Sequence, residues 1–176
     1  AFLQQAGAAA GFTVEEAATV ELNGSRVSST RVREALQAAD FVEAEHLLGR
    51  PFAIAGRVVH GQKLGRQLGT PTANVQLKRH RVPLNGVFLV SMELEGVLQP
   101  GVANIGVRPS VKADGFAHLE VHLLDFAGDL YDRRVSVVFH HKLRDEQRFA
   151  SLEALKSAIA ADVIAARAYW QAQLNS

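Results

Sequence analysis

The chain has 176 residues, of which 48% are hydrophobic and 21% are charged, and its formal net charge is +1. That length suffices for one well-packed domain, or for one domain with part of another. The chain has no cysteine and no apolar run near the roughly 18 residues of a membrane span, which excludes disulfides, thiolate chemistry, cysteine-ligated zinc and a membrane-spanning helix. It begins without Met or a basic segment, so we expect a piece of a longer cytoplasmic protein without a signal peptide.

The first fifty residues predict two short helices after an Ala-rich helix end and a tight turn. Ser28 or Ser29 can cap a helix through about Ala38, and a second helix should end at Gly49. Pro51 then breaks the chain, so we place a domain boundary near residues 49–51. The apolar contacts of the second helix are predicted to be Val42, Leu47 and Leu48.

After Pro51 the pattern changes to short strands. About six segments, from FAIAGRVVHG to RRVSVVFHHKL, are separated by turn residues, which indicates an antiparallel barrel or sandwich. A helix should follow Ser151, with an apolar stripe that lies against the strands. The stripe consists of Leu152, Leu155, Ile159, Val163, Ala166 and Trp170.

Charge is unevenly distributed along the chain. Residues 1–50 carry −3 and residues 51–176 carry +4, and no acidic residue lies between Glu45 and Glu93. Residues 46–92, the basic stretch, contain basic but no acidic side chains. This stretch is either a solvated face or a site for a polyanion, meaning a nucleoside triphosphate or a nucleic acid. A nucleic-acid-binding barrel normally offers aromatic stacking platforms, but residues 53–87 contain no Phe, Tyr or Trp, which weighs against it. A purely structural interaction domain leaves the clustered Gly, Thr and Asn residues unexplained.

The stretch GQKLGRQLGTPTAN, residues 61–74, combines flexible backbone, cations and small hydroxyls. Its glycines let a ligand approach backbone N–H groups, and Arg66 can bind phosphate oxygens in bidentate fashion. Thr72 and Asn74 point the same way on an extended segment and offer oxygen ligands that suit Mg²⁺. The spacing matches neither standard nucleotide motif, so a glycine-rich hairpin without a ligand is the alternative.

The segment HLEVHLLDF, residues 118–126, predicts a strand with one polar and one apolar face. His118, Glu120 and His122 share the polar face. This set could bind Zn²⁺ or Fe²⁺, could contain a general base, or could simply face solvent. His140 and His141 are adjacent and cannot share a site on a strand, and we expect most of the remaining histidines at the surface.

These segments together resemble the riboflavin kinase family. The match consists of VVHGQKLGRQLGTPTANV, VANIGVRPS, HLEVHLLDF and LRDEQRFASLEALKSAI in that order, over about residues 51–173, with the run Pro71 to Asn74 most specific. The resemblance implies a mainly β fold, a six-stranded antiparallel Greek-key-type barrel with a C-terminal helix packed on it. It also implies Mg²⁺-dependent transfer of phosphate from ATP to the riboflavin 5′-hydroxyl, giving FMN and ADP, with small-molecule partners only.

The resemblance assigns roles by position. It places ATP-binding residues at Gly61, Lys63, Gly65, Arg66, Gly69, Thr72, Leu123 and Tyr131. It assigns Mg²⁺ binding to Thr72 and Asn74 and the role of general base to Glu120. It assigns contacts with the flavin to Arg144, Gln147 and Phe149. Two positions depart from the family pattern, because Asp132 stands where glycine is common and Thr70 where a larger apolar residue is common.

Residues 27–52, VSSTRVREALQAADFVEAEHLLGRPF, resemble the junction in bacterial bifunctional riboflavin kinase/FAD synthetases. The triphosphate loop of their nucleotidyltransferase domain matches Ser28, Ser29, Thr30 and Arg33. The H-x-G-H motif that adenylyl transfer needs is absent from the sequence. We therefore expect residues 1–48 to be a small α/β remnant of that domain and residues 49–176 to be a monomeric kinase domain that makes FMN but not FAD.

Overall fold

The computed structural model describes residues 2–15, 18–61, 69–77, 82–107 and 117–174. The first elements are α1 (Phe2–Ala10), β1 (Glu21–Leu22), β2 (Ser25–Arg26), α2 (Ser29–Gln37) and α3 (Phe41–Leu48). They are followed by β3 (Ala53–Val59), β4 (Ala73–Gln76), β5 (Gly86–Leu94), β6 (Val97–Val107), β7 (Ala117–Leu123), β8 (Arg134–Arg144) and α4 (Leu152–Leu174).

Strands β3 to β8 form a closed antiparallel barrel in the order β3-β4-β7-β6-β5-β8. Strands β5, β6 and β7 are consecutive neighbours, and β8 returns to lie beside β5. This arrangement is a Greek key. Of the two alternatives that the strand pattern allowed, the structure confirms the barrel and not the sandwich. The predicted six-stranded Greek-key fold with a C-terminal helix is also confirmed.

The barrel has apolar residues inside and, along one side, a second apolar layer outside. Inward-facing residues such as Phe88, Met92, Ile105 and Leu119 are 0–1% exposed. Strand β5 is buried on both faces because its outward residues Val87 and Leu89 pack under α4. A strand buried on both faces has no polar alternation, which is why β5 reads as a continuous apolar run.

The short helices α2 and α3 begin and end at capping residues. Ser28 is the N-cap of α2, and its hydroxyl accepts a hydrogen bond from the Arg31 N–H at 3.3 Å. Gly49 ends α3 in the left-handed conformation, with φ of 68°, and donates its N–H to the Glu45 carbonyl at 2.8 Å. Both caps follow the sequence prediction, because these conformations favour serine and glycine respectively.

Helix α3 packs into the barrel core through an aromatic side chain that sequence reasoning missed. The Phe41 ring lies 5.9 Å from the Phe88 ring and 6.1 Å from the Phe139 ring, measured between centroids. Phe41, Ala44 and Leu47 are the buried residues of α3, whereas Val42 is 67% exposed. The predicted contact at Val42 is therefore wrong, because the helix is rotated to bring Phe41 into the core.

Helix α4 covers the barrel with the later part of the predicted stripe. Ala166 is fully buried against the outer apolar layer, and Val163 and Trp170 pack beside it. Leu152 is 48% exposed, so the stripe does not extend to the first turn of the helix. The period of the pattern is right, but it could not show where the barrel surface curves away from the helix.

One histidine helps to join α4 to the barrel. His140 lies at a β-bulge of β8, where its Nε2 and the buried Ser91 hydroxyl are hydrogen-bonded at 2.8 Å. Its ring meets the Trp170 ring edge-on at 4.9 Å. Burial lowers the pKa of His140 below its ordinary value of 6.5, and the Glu45 carboxylate opposes this only in part.

We expect the free energy of unfolding to fall when the pH is lowered from about 7 towards 5. The unfolded chain binds a proton at His140 more readily than the folded chain does, because the pKa of this residue is lower in the folded protein. The contribution of neutral His140 to the free energy of unfolding is therefore fully present above the pKa of the unfolded chain, and it is lost as the pH falls below that value. Urea unfolding across this range should show a smaller pH dependence for His140→Gln, which keeps a side-chain partner for Ser91 but does not titrate. His141→Gln, at an exposed position on the same strand, is the control, and an equal change in both variants would contradict the prediction.

Candidate active site

Three polar side chains form a row across adjacent strands on the outside of the barrel. Glu120 on β7 is opposite Asn74 on β4 and opposite Asn104 on β6. Their neighbours along each strand, such as Leu119 and Val121, point into the core, so the row faces outward. Directly opposed Cβ atoms on antiparallel strands lie about 5 Å apart, which brings the carboxylate within reach of both amides.

The predicted strand with alternating faces is confirmed at β7. Buried and half-buried residues alternate along its length, with His118, Glu120 and His122 on the half-buried face. The Nδ1 atom of His122 is 2.9 Å from the Pro71 carbonyl oxygen, which can only accept, so Nδ1 carries the hydrogen. Among the described residues no group of three His, Asp or Glu side chains could hold a metal ion, which leaves the Zn²⁺ or Fe²⁺ alternative unsupported.

The backbone at Gly61, two residues after the end of β3, lies against the side chain of Asn74. A Cβ atom on Gly61 would overlap the side-chain amide of Asn74. The first glycine of the 61–74 stretch therefore brings the backbone onto Asn74, while the His122 contact holds Pro71 and hence Thr72 against β7. Gly69 adopts φ of 78°, a left-handed conformation that favours glycine. Lys63, Gly65 and Arg66 lie outside the described residues.

A cleft of about 280 Å³ opens at the end of β7 that carries Leu123, and none of the three residues of the row lines it. It brings together Thr72, Leu123 and Tyr131, three of the positions expected to bind the nucleotide. The Tyr131 ring lies 3.9 Å from the His60 ring, between centroids. The other lining residues include Val58, Pro71, Ala73, Val121, Phe126 and Leu130, so the walls are mostly apolar.

The loop that carries Tyr131 explains one departure from the family pattern. Asp132 has φ of 61°, in the left-handed region where glycine is free of strain and where Asp is tolerated better than bulkier residues. Its carbonyl oxygen accepts a hydrogen bond from Arg57 at 2.6 Å, and its N–H donates to the Val58 carbonyl at 3.0 Å. Two contacts to β3 thus hold this loop in place despite the non-glycine residue.

The segment after β8, which carries Gln147 and Phe149 of the residues expected near the flavin, approaches β6 and β7 at the opposite end of β7 from the cleft. Glu146 approaches Gly106, where an added Cβ would be 2.7 Å from a carboxylate oxygen, and Gly106 is opposite His118 in the register. The Arg144 guanidinium lies 5.6 Å from the Phe149 ring centroid. Gln147 is exposed. Glu120 therefore stands between the cleft and the segment that follows β8.

Asp162 holds Arg144 in place, a contact that sequence reasoning missed. Its carboxylate accepts hydrogen bonds from Arg144 Nε at 2.9 Å and Nη2 at 2.8 Å, and only 10% of the Asp162 side chain is exposed. The available signal was an acidic residue on the buried side of α4, next to Val163 and four residues before Ala166. A bidentate pair of this kind fixes the plane of the guanidinium.

The predicted triphosphate loop of the N-terminal part lies away from this row. Ser28, Ser29 and Arg33 line a separate groove of about 1340 Å³ between α2 and the barrel, and Thr30 is exposed. Within the described part of the chain, none of the residues that line the Tyr131 cleft also lines this groove.

Comparison with known proteins connects this geometry to one family. A family model described as riboflavin kinase matches residues 48–170. A bifunctional riboflavin kinase/FMN adenylyltransferase of Pseudomonas fluorescens is 77% identical over 167 residues, covering 95% of this chain and 54% of that protein. The protein of the same description from Escherichia coli K12 is 52% identical over 171 residues, covering 96% of this chain and 54% of its own length. The chain spans about half the length of the curated relatives it matches.

A solved structure shares the fold. It is described as a macrolide-efflux protein from Streptococcus pneumoniae, has a TM-score of 0.73 and 34% identity, and covers 89% of this chain and 52% of its own. No described helix of the present chain is long and apolar enough to cross a bilayer. None of these matches is described as a nucleic-acid-binding protein, so that alternative gains no support.

We expect Asp162→Asn to destabilise the protein by about 3 kcal/mol, because it leaves a partly buried guanidinium without its counter-charge. Chemical denaturation measures this loss. Asp125→Asn is the matched control, since Arg167 hydrogen-bonds that carboxylate at 2.6 and 2.7 Å and lowers the pKa of Asp125, but the pair is exposed. The control should leave the unfolding midpoint unchanged. Equal unfolding midpoints for the two variants would contradict the prediction that the Arg144–Asp162 pair stabilises the fold more than the exposed Arg167–Asp125 pair does.

Proposed function

Since the chain belongs to the riboflavin kinase family, we propose that it phosphorylates the 5′-hydroxyl of riboflavin on the outer face of β4, β7 and β6. The observation that carries the proposal is the position of Glu120. It lies in the register between Asn74 and Asn104, with the Thr72–Tyr131 cleft at one end of its strand and the segment after β8 at the other.

Transfer of a phosphoryl group to an alcohol requires alignment and charge neutralisation more than covalent help from the protein. Thr72 and Asn74 would hold Mg²⁺ through a hydroxyl and an amide oxygen, donors that suit a hard cation. Two neutral ligands leave room for phosphate oxygens and water, as is usual for Mg²⁺ beside a nucleotide. The ion would neutralise charge on the β- and γ-phosphates. Lys63 and Arg66, from the basic stretch, are proposed to add positive charge at the same phosphates.

The cleft beside Thr72 is proposed to hold the nucleoside part of ATP. Apolar walls with an aromatic ring, here Leu123 and Tyr131, suit a flat heterocycle, and the Arg57 contact keeps the loop of Tyr131 on β3. Arg144, Gln147 and Phe149 are proposed to contact the flavin at the other end of β7. The Phe149 ring offers a stacking surface there, and the Asp162 pair keeps Arg144 at a fixed angle to it.

The proton of the acceptor hydroxyl is proposed to pass to Glu120. This carboxylate is half-buried, and the strand holds it between the two proposed substrate regions. A base that accepts the proton as the new bond forms lets the hydroxyl oxygen attack the γ-phosphorus without building up positive charge.

We further propose that residues 1–48 belong to a nucleotidyltransferase domain of a longer protein that also makes FAD. The family match beginning at residue 48 and the bifunctional relatives support this division. Incubation of the present chain with riboflavin, ATP and Mg²⁺, followed by chromatography with fluorescence detection, should show FMN without FAD. Failure of a folded sample to form FMN would refute the kinase proposal, and FAD formation would refute the division.

A cytoplasmic location and a monomeric state also remain proposals.

Glu120→Gln should lower kcat on the order of 10²–10⁴-fold while ATP binding is retained, because the amide cannot take the proton but fills the same space. Steady-state kinetics and calorimetric titration with ATP measure the two effects. Glu93→Gln, at an exposed position on β5, should retain wild-type turnover. Wild-type turnover in Glu120→Gln would remove this residue from the mechanism.

Thr72→Ala should raise the Mg²⁺ concentration required for half-maximal rate several-fold, because the ion loses one oxygen ligand. A Mg²⁺ titration at saturating ATP and riboflavin measures it. Thr70→Ala, which removes a hydroxyl two residues earlier, should leave the titration close to that of the wild type. An unchanged titration for Thr72→Ala would argue against Thr72 as a ligand.

A further inference from the structure

Asn104 has a buried oxygen atom that lacks a hydrogen-bond donor. Its Oδ1 is inaccessible to solvent and finds no partner among the described residues. A buried acceptor without a donor destabilises a fold, and such groups are normally satisfied by protein, water or a ligand. The other side-chain amide of β6, that of Gln99, shows the usual situation, because its Nε2 donates to the Leu124 carbonyl at 2.9 Å.

The position of Asn104 indicates what could satisfy it. It is opposite Glu120 in the register, on the side away from Asn74, while its own neighbours Ala103 and Ile105 are fully buried in the core. Two positions along β6, Gly106 is approached by Glu146, from the segment proposed to contact the flavin. Asn104 therefore lies beside the base and towards the proposed acceptor, not towards the proposed Mg²⁺ site.

The missing partner has to be a hydrogen-bond donor. Phosphate oxygens of ATP are acceptors, so they do not complement Oδ1. The ribityl chain of riboflavin carries hydroxyls on successive carbons, and each hydroxyl can donate. One ribityl hydroxyl can thus donate a hydrogen bond to Glu120, while another hydroxyl of the same ribityl chain donates to an amide oxygen about one strand spacing away.

We propose that Asn104 binds the polyol chain of the acceptor: its side-chain amide rotates to bring Oδ1 out of its buried position, and Oδ1 then accepts a hydrogen bond from a ribityl hydroxyl other than the one that is phosphorylated. This inference rests on the proposed kinase function and assigns a specificity-determining residue within it. The contact fixes how far along the polyol the reacting hydroxyl lies from Glu120. The stability lost by leaving Oδ1 unsatisfied in the free protein is recovered when the acceptor binds.

The test compares wild type and Asn104→Ala on riboflavin and on three analogues that each lack the 2′-, 3′- or 4′-hydroxyl. We expect the variant to lose about 10- to 30-fold in kcat/KM for riboflavin, with the KM for ATP and the Mg²⁺ titration unchanged. For one of the three analogues, wild type and variant should be equal, since neither can make the contact. A loss of equal size on all four substrates, no loss on riboflavin, or a changed Mg²⁺ requirement would each overturn the proposal.

Stability measurements separate binding from folding. Asn104→Ala should unfold at a midpoint no lower than that of the wild type, because the amide oxygen has no partner in the free protein. Gln99→Ala is the matched control: it should lower the midpoint by removing a satisfied hydrogen bond, and it should retain wild-type kinetics. If the alanine variant folds poorly, Asn104→Val repeats the comparison, because valine has a high propensity for β-strands. A wild type that forms no FMN would refute the kinase function itself, whereas the outcomes above refute only the role of Asn104.

Discussion

The placement of strand β7 between β4 and β6 is the constraint on which both the core and the proposed chemistry depend. Its inward residues, among them Leu119 and Val121, fill the barrel, and its outward residues include Glu120. Because the side-chain period of a strand is two, a one-residue slip would bury the carboxylate and expose the leucine. The free energy of apolar packing therefore helps to hold the proposed base at its position.

The same barrel needs additional elements to bury its apolar surface. Strand β5 is apolar on both faces, so it depends on α4 outside and on the aromatic cluster inside. The Arg144–Asp162 pair and the Ser91–His140–Trp170 contacts tie α4 to β8 and β5 on opposite sides of the apolar layer. Helix α4 is thus joined directly to the last residue of β8, Arg144, which is proposed to contact the flavin.

Local periodicity accounts for what could be predicted. Alternation along β7 and the caps at Ser28 and Gly49 depend on neighbours within a few residues, so the sequence alone suffices. The contacts that were missed join distant positions. Asn104 lies opposite Glu120 only because β6 and β7 pair in one register, and Asp162 meets Arg144 only when α4 folds back on β8.

Some errors had a different origin. A helix has several apolar faces that satisfy the same spacing, and which one is buried depends on the partner surface, as Val42 and Leu152 illustrate. The expectation that most of the remaining histidines lie at the surface did not single out His140, whose half-buried ring contacts Ser91 and Trp170. The residues proposed to bind phosphate were recognised through family motifs rather than through spacing.

The packing of Phe41 against Phe88 and Phe139 has a consequence for how such proteins can evolve. The family match begins at residue 48, but the aromatic core of the barrel includes a side chain that precedes it. Recombination that joined a new partner at residue 49 would discard one wall of that core, whereas a junction upstream of α2 would keep it whole. The hairpin of α2 and α3 should therefore be inherited together with the barrel.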